Sequence, residues 1–188
     1  MTWLKTEVPR RIVIGDLELR CYEMTDAHYL GEAIVSSLPE LEPWMPWAKF
    51  EPLTLSRRAD LINGWRQDWD EGAEFVMGIF RNGNIVGSTG LHLRGTDGQL
   101  EIGYWVKSDA CGEGIATRST RALVETAFTL PEVQEVQILH DKANVKSRRV
   151  PEKLRFESRS EEARDPLSPG DVGIACLWSM TRERWVAL

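Results

Sequence analysis

Apolar and polar positions along this chain change period repeatedly, and the changes mark out short strands alternating with amphipathic helices. Arg11–Ile14 and Leu17–Arg20 alternate on either side of the turn pair Gly15-Asp16, which predicts a hairpin or a bent strand. Thr25-Asp26 suits the start of a helix carrying Tyr29, Leu30, Ala33 and Ile34, and that helix should stop before Pro39. Ser56 is then expected to cap a longer helix in which Leu61, Trp65 and Trp69 recur every four residues, with Gly72 as its stop. That stripe reads as core rather than as the wall of a ligand site. Phe75–Phe80 and Asn84–Leu93 flank Asn82-Gly83, the favoured dipeptide of a tight hairpin. After a turn at Gly95–Gly98, the run Leu100–Lys107 completes three successive antiparallel strands.

From Glu101 to Thr117 the chain reads as strand, glycine turn and helix start. The helix should run to about Phe128 and turn Ile115, Ser119, Ala122, Leu123 and Ala127 toward the sheet. A helix that opens on Gly112 and Gly114 leaves its first N–H groups bare and lets a ligand approach the main chain, which suits a phosphate. The glycine pair alone is equally consistent with a turn that needs glycine for backbone reasons only. Val133–His140 alternates as a further strand, and a helix beginning at Asn144 follows. Glu161–Asp171 is charged and holds Pro166, Pro169 and Gly170, so it is expected to be a surface excursion, with Val172–Met180 as the returning strand. The alternation predicts an α/β protein of the α+β type.

The 188 residues, 42% of them hydrophobic, suffice for one substantial core, and a single domain over 1–188 is the simplest reading. Cys21, Cys111 and Cys176 are scattered and odd in number, supporting neither a disulfide framework nor a zinc site and fitting a reducing cytoplasm. His28, His92 and His140 lack metal spacing and read as structural, so no metal is expected. No apolar run has the length of a signal peptide or a membrane span, which predicts a soluble chain without a membrane partner. A net charge of −6 argues against binding nucleic-acid backbones and suits a cationic acceptor. The basic cluster Lys146, Arg148, Arg149 and Lys153 is either a solvated helix face or a set of phosphate contacts. Trp44, Met45 and Trp47 form a loop cluster that walls an acceptor pocket or packs the loop onto the core.

Three separated motifs carry a resemblance. Cys111-Gly-Glu-Gly-Ile-Ala116 falls on an Arg/Gln-x-x-Gly-x-Gly/Ala pyrophosphate loop. Asn144-Val-Lys-Ser-Arg-Arg-Val-Pro-Glu-Lys-Leu-Arg-Phe156 falls on an Asn-x-x-Ser helix that leads to a Lys-Leu-Gly-Phe ending. Leu41-Glu-Pro-Trp-Met-Pro-Trp-Ala48 is a tryptophan-proline loop. In this order the motifs resemble the GNAT superfamily of N-acetyltransferases, and within it the Rim-type branch that acetylates ribosomal-protein N-termini. The resemblance implies a mostly antiparallel, mixed, twisted sheet with helices on both faces and a split between its fourth and fifth strands. It implies transfer of an acetyl group from acetyl-CoA, as co-substrate, to a primary amine by direct attack in a ternary complex. The acceptor is then a protein or peptide N-terminus or a small aminoacyl or polyamine-like metabolite, and a homodimer is compatible with the family.

By the same resemblance Glu101 takes the amine proton, and Tyr104, Trp105 and Val106 offer main-chain groups to the pantetheine arm. The amides of Cys111, Gly112, Glu113, Gly114, Ile115, Ala116 and Thr117 hold the diphosphate. Much of the superfamily protonates the leaving thiolate with a Tyr whose position here is Pro151, so Ser147, one turn earlier, is the candidate acid or thiol hydrogen-bonder. Asn144 bonds the pantetheine amide or caps its helix. Four residues depart from the pattern. Cys111 stands for Arg or Gln, Glu113 puts a negative charge beside the diphosphate, Pro151 enters a helix, and Arg155 replaces a Gly suited to the left-handed region. Arg118 and Arg121 are placed to return positive charge to the ligand or to face solvent. The departures also support a second reading, a catalytically impaired acyl-CoA sensor or interaction module on the same fold, and a donor other than acetyl-CoA is a third.

Overall fold

The computed structural model describes residues 3–188. Eight strands form one sheet: β1 (Arg11–Ile14), β2 (Leu17–Cys21), β3 (Glu74–Arg81), β4 (Asn84–His92), β5 (Gln99–Val106), β6 (Glu135–Asp141), β7 (Glu157–Ala163) and β8 (Ile174–Thr181). Their order is β1-β2-β3-β4-β5-β6-β8-β7. Every neighbouring pair is antiparallel except β5 and β6, which run parallel because α4 crosses between them. The helices are α1 (Ala27–Val35), α2 (Leu38–Leu41), α3 (Leu55–Asp70), α4 (Ile115–Thr129), α5 (Val145–Lys153) and α6 (Arg182–Val186). Among the described residues no helix is long and apolar enough to cross a membrane.

Asn82 and Gly83 both adopt positive φ, 50° and 80°, the twist that lets a two-residue loop join β3 to β4. These central strands are buried along nearly their whole length because helices cover both faces. On one face Met77, Ile79, Leu91 and Ile102 pack with Ile115, Ala122, Leu123 and Ala127 of α4, the residues expected to face the sheet. On the other, Val76, Phe80, Ile85 and Trp105 meet Leu30, Ala33 and Ile34 of α1 and Ile62 of α3. Burying a large aliphatic side chain of this kind contributes about 1.5–3 kcal/mol, so both layers hold the sheet firmly.

Several expectations are corrected. Thr54, not Ser56, caps α3: its side chain accepts the Arg57 N–H, and Ser56 lies inside the first turn. The helix expected to stop before Pro39 does so, since α1 ends at Val35; what the pattern did not foresee is that Pro39 itself sits in the first turn of a separate short helix, α2, where a missing N–H costs nothing. Part of the segment expected as a surface excursion is strand β7, polar and exposed on both sides and paired only with β8. Its polarity hides it from a hydrophobic-period reading and also protects the sheet edge it forms. Arg155 adopts the left-handed conformation required of it, at φ 59°, with the Phe156 N–H closing on the Pro151 carbonyl at 3.0 Å.

Candidate active site

β5 and β6 pair only from Gln99 to Glu101 against Glu135 to Gln137. Beyond Glu101 they diverge, and among the described residues 102–106 have no β6 partner. This opening is the split between fourth and fifth strands if the β1–β2 hairpin is counted as one bent strand. A cavity of about 900 Å³ passes through it and takes its walls from both faces of the sheet. Alternation along β5 puts Glu101, Gly103 and Trp105 on the α1–α3 face and Tyr104 on the α4–α5 face, where Asn144 and Ser147 join it.

Register creates a row of ionisable groups on the α1–α3 face. Glu74 lies opposite His92 and His92 opposite Glu101, so the three stand abreast on β3, β4 and β5 at the cavity wall. His92 Nδ1 is 3.3 Å from Glu74 Oε2, and Arg94 bridges the two carboxylates at 3.6 Å from Glu74 and 3.5 Å from Glu101. The neighbouring imidazole, against the opposing effect of burial and with help from Arg94, holds the Glu74 carboxyl below its ordinary value. His92 Nε2 lies over the paired glycines Gly90 and Gly103: a Cβ on either would come within 3.2 or 3.3 Å of it. Two facing glycines therefore make room for the ring. Sequence reasoning took His92 as structural, and the structure sets it beside Glu101. The legible signal was the pair Gly90-x-His92 and Glu101-x-Gly103 on consecutive strands.

His140 also lines the cavity, but both of its ring nitrogens are engaged by the protein. Trp178 can only donate, and its indole N–H reaches Nε2 at 2.9 Å, so Nδ1 carries the proton and donates to the Asp141 carbonyl at 2.8 Å. Burial pushes its pKa down, which favours the same neutral ring.

On the α4–α5 face the Asn144 side chain accepts the Ser147 N–H at 3.0 Å, which makes Asn144 the cap of α5. Pro151, four residues after Ser147, has no N–H, so the Ser147 carbonyl lacks the i+4 donor that an α-helix would supply. Tyr104 reaches across from β5. Its phenol donates to that carbonyl at 3.1 Å and lies 3.0 Å from the Ser147 hydroxyl. Burial, partly offset by the Ser147 contact, pushes the phenol up to about 12.

The glycine turn follows the unpaired end of β5. Gly112 and Gly114 hold φ of 89° and 77°, a region other residues enter only with strain. Gly114 is the N-cap of α4, and no side chain caps the helix. The Ile115 side chain is in the core and Ala116 packs against it, so what this turn can offer a ligand is main chain. Val106 and the residues from Cys111 to Thr117 do not line the cavity itself. The charges around the turn are committed elsewhere: Arg81 pairs with Glu113, Arg118 with Asp16 and the Ile14 carbonyl, and Arg121 lies over the Trp185 ring. Arg148 of the basic cluster pairs with Glu152.

Residues 16–157 match the family described as Acetyltransferase (GNAT) domain. This chain belongs to the GNAT acetyltransferase family. Over 152 residues it is 32% identical to YdaF of Bacillus subtilis strain 168, which is named as a ribosomal N-acetyltransferase, covering 80% of this chain and 82% of the relative. RimJ of Mycobacterium smegmatis, solved with a CoA disulfide, superposes with a TM-score of 0.78 at 24% identity, over 96% of this chain and 93% of RimJ. RimL, a ribosomal L7/L12 alpha-N-protein acetyltransferase solved with coenzyme A, gives 0.84 at 17% identity over 93% and 99%. Several Rim-type proteins thus share the fold of this GNAT enzyme.

In the GNAT chain the far side of the cavity is aromatic. Trp44, Met45 and Trp47 line it, with the Trp47 ring 6.3 Å from that of Trp105. Leu61 and Trp65 line it too, so of the stripe expected as core only Trp69 is buried there. The loop before α3 is fastened by a buried ion pair, Arg58 to Glu51 at 2.5 Å, each side chain 3% exposed, with the Leu53 N–H also on Glu51. Among the described residues no cluster of His, Cys, Asp and Glu is placed to hold a metal.

Proposed function

We propose that this GNAT chain moves an acetyl group from acetyl-CoA to a primary amine by direct attack in a ternary complex. The acceptor is the N-terminal α-amine of a protein or peptide, or the amine of a small aminoacyl metabolite. One observation carries the reading: a single cavity crosses the sheet where β5 leaves β6, with carboxylate and imidazole on one face and hydroxyls on the other. The pantetheine arm lies along the unpaired edge from Tyr104 to Val106 as an added strand would, and the amides from Cys111 to Thr117 take the diphosphate. That leaves the thioester in the opening. The acceptor enters past Trp44, Met45 and Trp47, Glu101 receives the proton its amine must lose, and Ser147 hydrogen-bonds the departing sulfur. His92, the register partner of Glu101 on the neighbouring strand, faces the same cavity. RimJ and RimL, whose names carry coenzyme A and, for RimL, a protein α-amine, support both substrates.

The commitment of Arg81 to Glu113 and of Arg118 to Asp16 favours one alternative, a domain that binds acyl-CoA without turnover. Thiol release from acetyl-CoA, measured over a panel of N-terminal peptides, aminoacyl amides and polyamines, separates the two. Turnover that falls roughly 10²- to 10⁴-fold in Glu101→Gln is expected for the transferase. Acetyl-CoA binding with no turnover of any amine, or equal rates in the variant, would overturn it. Native mass spectrometry of the purified protein identifies the acyl donor.

A further inference from the structure

Pro151 and Tyr104 form one device. Proline at 151 removes the N–H that would close the α5 turn on the Ser147 carbonyl, and a phenol from a strand takes the vacated acceptor. The same phenol oxygen lies 3.0 Å from the Ser147 hydroxyl. A phenol has one proton, and a carbonyl can only accept. With the Tyr104 proton on the carbonyl, the Ser147 hydroxyl donates back to the Tyr104 oxygen, and both hydroxyls are satisfied within the protein.

We propose that Tyr104 is a positioning residue that holds the Ser147 hydroxyl in reserve and releases it to the sulfur as negative charge develops there. The inference rests on the acetyl-transfer reading above. As the amine nitrogen bonds the acetyl carbon and the carbon–sulfur bond breaks, the electron pair goes to sulfur and the amine proton to Glu101. The Ser147 O–H turns from Tyr104 to the thiolate, and the Tyr104 O–H turns from the carbonyl to Ser147 Oγ. Two hydroxyl rotations suffice. Neither group loses its proton: CoA leaves as the thiolate and is protonated by solvent after release. A phenol raised to about 12 by burial remains a donor at every working pH, which suits this role and not that of an acid. Because the serine is occupied until an anion competes for it, the bond to sulfur is made in the transition state rather than with bound substrate, which is the kind of interaction that raises kcat. A tyrosine on α5 would donate directly. Here the helix carries proline, and the donor reaches the site from β5 through serine.

Steady-state kinetics with thermal melts test this on the full chain. Tyr104→Phe should lower kcat roughly ten- to a hundredfold with the KM for acetyl-CoA within about threefold of wild type, and should lower the melting temperature because the Ser147 carbonyl is orphaned. In Pro151→Ala/Tyr104→Phe, alanine restores the helical N–H, so the melting temperature should recover while kcat stays low. This double variant also carries the test if Tyr104→Phe alone folds poorly. In a Ser147→Ala background Tyr104→Phe should cost less than about twofold more, since the two act as a unit. Recovery of kcat with stability in the double variant would show that Tyr104 only satisfies the carbonyl, and unchanged kcat in Tyr104→Phe would equally overturn the inference. Absence of turnover by the wild type would remove the transferase reading and this inference with it.

Discussion

Asp141 is the residue whose replacement the structure prices most directly. Its carboxylate is buried, 3% exposed, and accepts four backbone N–H groups: Ala143 at 2.9 Å and Val172 at 3.1 Å on one oxygen, Gly173 at 3.1 Å and Ile174 at 3.2 Å on the other. It thereby ties the end of β6 and the approach to α5 to the start of β8, at the wall of the cavity. Asp141→Asn keeps the shape but turns an N–H₂ toward two N–H donors. Hydrogen bonds to a charged group are worth about 1.5–3 kcal/mol each, so losing two should cost about 3–6 kcal/mol. With a urea dependence of about 2 kcal/mol per molar, the unfolding midpoint should fall by roughly 1.5–3 M. The effect should also depend on pH. Burial by itself would raise this carboxyl, but the four N–H groups overrule it and hold it below its ordinary value. A group so depressed stabilises the fold fully above its unfolded value of about 3.9 and loses that contribution as pH falls through the folded value. Wild type and variant should therefore differ most near neutrality and converge in acid. A midpoint difference under about 0.5 M at pH 7, or one that persists undiminished at pH 2–3, would refute the reasoning.

Glu51→Ala should lose about 3–5 kcal/mol in the same assay, because it strands the buried Arg58 guanidinium, whereas Glu51→Leu/Arg58→Met should lose less than the single change. A double variant worse than the single would contradict that account. Glu113→Lys removes the negative charge at the glycine turn and its hold on Arg81; the KM for acetyl-CoA should fall about three- to tenfold at low salt, and the gain should shrink as ionic strength rises. A salt-independent change, or none, would place the diphosphate elsewhere.

How far the site was legible depended on the range of the interactions that build it. The glycine turn, the Asn82-Gly83 hairpin and the buried face of α4 follow from conformational preferences and periods acting over a few residues, and each lies where the sequence placed it. Glu101, Tyr104, Asn144, Ser147, Trp44, Met45 and Trp47 were all named from motifs and all meet one cavity. His92 was passed over because its partners arrive from two other strands, and nothing local to His92 announces Glu74. Leu61 reads as core but is exposed at the cavity, and Trp65 both packs on the core and lines the cavity, because a helical stripe looks the same whether it faces a sheet or a cleft. Strand β7 was missed because an edge strand exposed on both sides has no hydrophobic period to detect.

By itself, then, the order of residues determined most of the element types, the family and a core set of the residues that meet at the opening in the sheet, since these are written in local preference and motif spacing. Only the tertiary structure decided which charges neutralise one another at the glycine turn, that His92 joins Glu101, and that a phenol from β5 takes the carbonyl Pro151 leaves free. Those outcomes depend on strand register and on the distance between elements far apart in the chain, which are settled by packing the whole sheet between its helices and not by any segment alone.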